Sequence, residues 1–348
     1  MTEDRIDDGA LREAGEILQA GGLVAFPTET VYGLGGNALD PEASRKIYAA
    51  KGRPSDNPLI VHIADLESLG RIAKNVPEKA RKMAEAFWPG PLTMIFEKTD
   101  EVPLETTGGL FTVAVRFPSN KIAMHLIRFA GGYIAAPSAN TSGRPSPTLA
   151  EHVEEDLGDQ IDMIIDGGQV DIGLESTIID FTVDPPSILR PGYINQTMAE
   201  SIVGPVTVDP GILPENSGIR PKAPGMKYRH YAPKADLTIV EGKPEEVQQA
   251  IRKLVRENTE AGKKTGVICT DESRGAYTEG DVHDIGSRLD EESIARHLYE
   301  ILRDFDEEHA DLIYSESFDT PEMGAAIMNR LMKAAGHKVR RAEDILKS

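Results

Sequence analysis

The chain has 348 residues, of which 40% are hydrophobic and 27% charged, and its formal net charge is −19. That length exceeds one average domain and makes two the expectation, while no apolar run approaches the ~20 residues that span a bilayer. The acid excess argues against a general nucleic-acid binder, whose affinity comes from cations on phosphates, yet it leaves room for a local basic cavity.

The start, Met1-Thr2-Glu3-Asp4-Arg5, is acidic and lacks the apolar core of a signal peptide, so the expectation is a cytoplasmic protein. Leu11, Ala14, Ile17 and Leu18 fall on one helical face. Leu23-Val24-Ala25-Phe26 has the length and residue type of a buried strand, which Pro27 stops because it has no N–H to donate. Thr28, Glu29 and Thr30 follow, then Val31 to Gly36, whose glycines permit positive φ and a close backbone approach. Asp40 and Pro41 open a helix with Ile47 and Ala50 inward; Gly52 and Pro54 close it. Lys51 and Arg53 therefore sit on a Pro-bracketed turn beside glycines and hydroxyls, the equipment of an anion pocket. A solvated basic turn fits the same residues equally well.

Leu59 to Ile63 is a second apolar run, with His62 either a core histidine or a group aimed into the pocket. Asp65 to Phe87 reads largely helical with a break near Pro77, and Leu92 to Phe96 as a strand. In the strand Phe111 to Phe117, alternation puts Thr112, Ala114 and Arg116 on one face. A helix from Lys121 to Phe129 and a strand from Tyr133 to Ala136 lead to Pro137-Ser138-Ala139-Asn140-Thr141-Ser142-Gly143-Arg144-Pro145-Ser146. That polar loop is rich in hydroxyls and free N–H groups and directly follows a strand, where sites in α/β proteins gather. Asp166-Gly167-Gly168 and Gly173 to Thr177 form a third polar loop, and Ile178 to Phe181 and Ile188 to Gly192 read as a closing hairpin with Arg190 at its end.

From about Val206 to Pro233 prolines and glycines recur and no apolar period survives, the composition of a linker. It carries Pro224-Gly225-Met226-Lys227-Tyr228-Arg229-His230-Tyr231-Ala232-Pro233, a cluster that favours an active-site lid over a docked strap. Beyond Asp236, strands at Leu237, Thr265 and Leu312 alternate with helical stripes, the last over Pro321 to Ala335, and predict a parallel α/β/α sandwich. It has neither a GxGxxG nor a Walker loop. The expected division is residues 1–205, a linker over 206–235, and a second domain over 236–348.

Lys51, Arg53, Arg116 and Arg190 lie in or beside polar loops that supply no persuasive nucleophile. The single cysteine, Cys269, lies in the other domain and excludes both an intramolecular disulfide and a multi-cysteine zinc site. Cations without a nucleophile suit a reaction between two bound anions, driven by positioning and charge neutralisation, as in nucleotidyl transfer. Mg²⁺ bridging substrate phosphates is then expected, with no metal site built by the protein alone.

The motifs PTETVYGLG (Pro27 to Gly35), KGRPSDNPL (Lys51 to Leu59), Ser138 with Asn140, GLEST (Gly173 to Thr177), LRPG (Leu189 to Gly192) and PGMKYRHYAP (Pro224 to Pro233) together resemble the two-domain threonylcarbamoyl-AMP synthases. The resemblance covers nearly the whole chain. It implies a YrdC-like twisted open sheet with flanking helices, joined by a long linker to a smaller Rossmann-like α/β/α domain. It implies a nucleotidyltransferase that makes threonylcarbamoyl-AMP and pyrophosphate from L-threonine, bicarbonate or CO₂, and ATP with Mg²⁺. A downstream enzyme then passes the threonylcarbamoyl group to tRNA. By the same resemblance, Thr30, His62, Arg116, Ala136 and Ser176 are threonine-side contacts. Lys51, Arg53, Asn57, Thr112, Ser138, Ser146 and Arg190 are ATP-side contacts, with Lys51 and Arg53 also the catalytic cations. Tyr231 closes over the nucleotide, and Asn140 belongs to the signature without an assigned contact. An RNA-binding module is the alternative that the charge disfavours. A carbamoyltransferase of the YrdC-like type is the other, and it lacks the cysteines of its zinc modules.

Overall fold

Local chemistry sets the helix that carries Lys51. Asp40 caps its start, accepting from the Glu42 N–H at 2.9 Å, and Pro41 fills the first turn. Gly52 ends it at φ 60°, in the left-handed region. Asp7 caps the helix Asp8–Gln19 in the same way and leaves Leu11, Ala14 and Leu18 buried. The computed structural model describes residues 1–209, 221–224, 230–318 and 320–348. Chain contacts gather residues 1–142 with 146–228 into one unit, and residues 143–145 with 229–348 into a second.

The first unit is built on short strands: β1 (Val24–Phe26), β2 (Gly33–Asn37), β3 (Ile60–His62), β4 (Ala73–Lys74), β5 (Leu92–Lys98), β6 (Thr112–Arg116), β7 (Ile134–Ala135), β8 (Met163–Ile164), β9 (Thr177–Asp180), β10 (Ser187–Arg190) and β11 (Thr207–Val208). Among the described residues they form one mixed sheet in the order β11-β10-β9-β5-β6-β3-β7-β2-β1-β8, with β4 added to β5. Val61, Met94, Val113, Val115 and Ile179 face the larger core, with Ile47 and Met83 from the flanking helices. On the opposite face Ile60, Ile95, Ala114, Ile178 and Leu189 form a smaller cluster that Ala223 completes. Alternation carries that second face on to His62 and Arg116, which are register partners at the ends of β3 and β6. The site face is thus an apolar floor with charged residues at its edge.

Two expectations change here. Residues 33–37 form a strand, and of the two uses expected of its glycines the close approach holds and positive φ does not: a Cβ on Gly35 would lie 2.9 Å from Ile134 Cγ2 and 3.0 Å from Phe26 Cε1. The segment read as largely helical over 65–87 is a short helix (Leu69–Ile72), the strand β4 and the helix Glu78–Phe87.

The second unit holds β12 (Asp236–Glu241), β13 (Thr265–Cys269), β14 (Asp281–Asp284), β15 (Leu312–Glu316) and β16 (Val339–Arg341), all parallel, in the order β14-β13-β15-β12-β16. The helices Pro244–Glu260, Glu291–Glu307 and Gly324–Ala334 connect them as the alternating pattern predicts. The helix expected last is not last: β16 and the short helix Ala342–Lys347 follow it. Residues 143–145 join this unit, where Ala232 N–H donates to Gly143 O at 2.9 Å and Arg303 Nη2 to Pro145 O at 2.7 Å. Much of the expected linker lies outside the described residues; Thr207–Val208 pairs with β10, and Ala223 packs as above.

Candidate active site

Backbone hydrogen bonds knit the three polar loops of the first unit together. Tyr32 N–H donates to Pro147 O (2.9 Å), Leu34 N–H to Pro137 O (2.8 Å) and Ala139 N–H to Tyr32 O (2.8 Å). Ile172 and Gly173 N–H donate to Glu29 O (2.9 Å) and Thr30 O (3.0 Å), and Ser142 N–H to Lys51 O (2.9 Å). Segments distant in sequence therefore present their side chains as one polar assembly.

One end centres on Arg116, which is buried at 4% exposure. Its Nη1 donates to Thr30 Oγ1 at 2.8 Å, and its Nη2 lies 2.8 Å from Glu29 Oε1. That second approach misses hydrogen-bonding geometry, so Arg116 Nε and Nη2 and both Glu29 carboxylate oxygens have no hydrogen-bond partner. Thr28 Oγ1 stands 2.9 Å from Thr30 Oγ1. His62 is buried, with Nδ1 3.1 Å from Ile60 O. Burial first, and the Arg116 charge second, push its pKa down to about 3, so the imidazole is neutral at physiological pH. Ala136 lies beside it, its N–H bonded to Ile60 O at 2.9 Å.

Ser176 links this end to Arg190. Its Oγ lies 2.7 Å from Thr93 Oγ1, and Thr93 is the register partner of Arg116 on β5. Arg190 donates from Nε to Ser176 O (3.0 Å) and from Nη2 to Ser176 Oγ (3.2 Å). The bulge between Ile188 and Arg190 sits where β10 delivers that arginine.

The other end centres on Lys51, 2% exposed, whose Nζ donates to the carbonyls of Ser138, at 2.5 Å, and Asn140. Ser138 Oγ donates to Asn140 Oδ1 at 2.5 Å. Arg53 folds back over its own turn, with Nε to Asn57 O (3.3 Å) and Nη2 to Pro58 O (3.0 Å). The Asn57 Oδ1 is buried without a hydrogen-bond partner. Ser146 Oγ donates to Glu175 Oε1 at 2.5 Å. Thr112 shares a face with Arg116 but opens β6 at the far end, opposite Glu97. Tyr231 belongs to the second unit, buried, with its ring centroid 5.1 Å from that of Tyr299.

A family profile described as "Telomere recombination" matches residues 16–192, and one described as "Threonylcarbamoyl-AMP synthase, C-terminal domain" matches 194–336. The threonylcarbamoyl-AMP synthase of Pyrococcus abyssi is 48% identical, with 97% of each chain covered. That of Bacillus subtilis is 49% identical over 96% of this chain and 95% of its own. The crystal structure of P. abyssi Sua5 complexed with L-threonine superposes with a TM-score of 0.91, at 47% identity and 97% coverage of each chain. The chain belongs to the threonylcarbamoyl-AMP synthase family. As a member it is a nucleotidyltransferase-type enzyme with a YrdC-like first domain and a Sua5-type C-terminal domain.

Residue-by-residue reading gave no role to Glu29, Thr93 or Glu175, all of which touch the assembly. Glu29 had a legible signal, a carboxylate flanked by two hydroxyls immediately after the proline that ends a strand. Thr93 had none, since its role comes from the pairing of β5 with β6.

Proposed function

We propose that the first unit joins L-threonine, bicarbonate or CO₂, and ATP into threonylcarbamoyl-AMP and pyrophosphate. The observation that carries this is the hydrogen-bonded assembly itself, which brings buried Arg116, Arg190 and Lys51 from separate segments into connected surroundings. Threonine carbamate and the ATP α-phosphate are both anions, so their encounter needs fixed positive charge more than it needs a nucleophile from the protein. The carbamate oxygen attacks phosphorus and pyrophosphate leaves.

Arg116 with Thr30 holds the threonine carboxylate. Neutral His62, Ala136 and Ser176 complete that side, and a neutral imidazole there adds no competing charge. Lys51, Arg53, Asn57, Thr112, Ser138, Ser146 and Arg190 serve the nucleotide, with Asn140 fixing Ser138 and Lys51. Lys51 and Arg53 neutralise charge on the departing pyrophosphate. Mg²⁺ enters on the phosphates of ATP: the donors around Lys51 are hydroxyl, amide and carbonyl groups, which suits an ion the substrate carries. When bound it neutralises phosphate charge.

The 206–235 segment acts as a lid that shields the labile carbamate from water, supported by Ala223 seated on the apolar floor of the site face. The product goes to a transfer enzyme that modifies the adenosine next to the anticodon in tRNA, and the setting is the cytoplasm. Among the described residues no helix is long and apolar enough to cross a membrane. Pyrophosphate release measured with each substrate omitted in turn tests the reading. It requires dependence on both threonine and bicarbonate, and release that ignores threonine ends it.

A further inference from the structure

Glu29 is 5% exposed, and neither of its carboxylate oxygens accepts a hydrogen bond. A buried carboxylate normally takes several donors, because an unpaired buried charge costs several kcal/mol. Beside it, Arg116 leaves Nε and Nη2 unbonded, although its Nη1 is held by Thr30 at 2.8 Å. The fold thus buries an acceptor-only group and a donor-only group side by side, 2.8 Å apart, with open capacity on both. An α-amino acid zwitterion has the complementary pattern, an ammonium and a carboxylate separated by one carbon. Thr28 and Thr30 supply hydroxyls at the same place. The Glu29 main chain is held by Ile172 N–H at 2.9 Å, so the side chain is presented from a tied loop.

We propose that Glu29 is a further catalytic residue: it receives the ammonium of the amino-acid substrate and takes the proton that nitrogen must lose before the carbamate forms. This rests on the threonine-side reading above. The ammonium N–H breaks and its proton passes to a Glu29 oxygen. The freed lone pair forms the N–C bond to CO₂, one C=O π pair moves to oxygen, and the second N–H proton passes to water. Protonated Glu29 is neutral and no longer repels the carbamate anion. The charged group against Glu29 is Arg116, and the titratable group facing Arg116 from the neighbouring strand β3 is His62.

The test is Glu29→Gln in the full chain, with wild type and Glu29→Asp alongside. Wild type must release pyrophosphate only when threonine and bicarbonate are both present; failure of that control ends the adenylate-forming reading and this proposal with it, whereas a defect seen only in the variants bears on Glu29 alone. With the control met, E29Q is expected to lose about 100-fold or more in kcat/KM for threonine near neutral pH, the usual worth of general-base catalysis. The loss should shrink as pH rises, because the substrate ammonium then sheds its proton to water. The run in the opposite direction uses presynthesised threonylcarbamoyl-AMP, which carries no ammonium. Single-turnover ATP formation from it and pyrophosphate should stay within about threefold of wild type. If E29Q fails to fold, Glu29→Asp is read in the same two assays, and a loss confined to the threonine-dependent direction is expected. Unchanged threonine kinetics, or equal losses in both directions, overturns the proposal.

Discussion

Two buried carboxylates, one in each unit, differ in a way that separates chemistry from architecture. Glu29 and Glu316 are 5% and 4% exposed. Glu316 ends β15 and lines a cavity of about 280 Å³ with Gly242 and Thr270, which follow β12 and β13. Ligands of α/β sheets bind at such strand ends, yet this carboxylate is already occupied: Oε1 accepts from Tyr277 Oη at 2.7 Å and Oε2 from Arg288 Nη2 at 2.8 Å. Glu29 sits on a loop of the mixed sheet and accepts from nothing. Position in a sheet therefore did not mark the reactive group; unused hydrogen-bonding capacity did. Around Glu316 hydrogen-bonding capacity is committed to the fold, and at Glu29 it is left open.

The largest effect that would sharpen this contrast is at Lys51. Lys51→Met should lower turnover by about 10²–10³-fold, the scale for removing one donor that stabilises transition-state charge. Far-UV circular dichroism should be unchanged, and turnover within a few-fold of wild type would break the comparison from the first-unit side. At Glu316 the balance reverses. Tyr277→Phe removes the donor to Oε1 and should cost about 2 kcal/mol of stability, read as a lower urea midpoint. Its kcat/KM for threonine should match that of wild type. A catalytic loss with stability intact would mean that Glu316 is reserved for chemistry after all.

What could be read from the sequence divides along similar lines. The helix bearing Lys51 was legible because Asp40, Pro41 and Gly52 act on their own neighbours. The parallel second unit was legible because its strands alternate with long amphipathic helices. Strands of two or three residues such as β4, β7 and β8 were not, since so few positions carry no period. Residues 33–37 did not read as a strand because glycine carries no period, though its freedom to admit a close neighbour, here Ile134 and Phe26, was legible. The cations of the site could be picked out singly as Arg or Lys beside polar loops. Their assembly depends on pairings such as β5 with β6 and β3 with β6 that no local signal encodes. Assigning Ala136, Thr112 or Asn57 to a substrate came from family resemblance alone.

A smaller effect separates the two regions by pH. The His62 pKa falls from an ordinary 6.5 to about 3 on folding, through burial and Arg116. The unfolded chain therefore binds more protons between those values. The stability His62 contributes is complete above pH 6.5 and is lost as pH falls toward 3, by at most about 1.4 kcal/mol per pH unit. His62→Asn should flatten the acid limb of the stability curve by about one proton's worth, measured by urea unfolding from pH 7 to 4. An unchanged limb would mean that His62 is charged in the folded protein beside Arg116.

The smallest effect is expected at Cys269, and it tests the second unit alone. Burial, and then the nearby Glu316 charge, push its thiol up to about 12. At pH 8 only about 10⁻⁴ of it is then thiolate, and the thiolate is the species that reacts. Its Sγ faces His283 O at 3.6 Å, on the neighbouring strand of the sheet. Modification by a thiol reagent should therefore be limited by opening of the unit: slow in the native protein and accelerated by sub-denaturing urea. Pyrophosphate release should be untouched while the thiol is protected. Rapid native-state labelling that abolishes turnover would show that the groups packed around Glu316 are not spent on the fold, and the distinction from Glu29 would collapse at its architectural end.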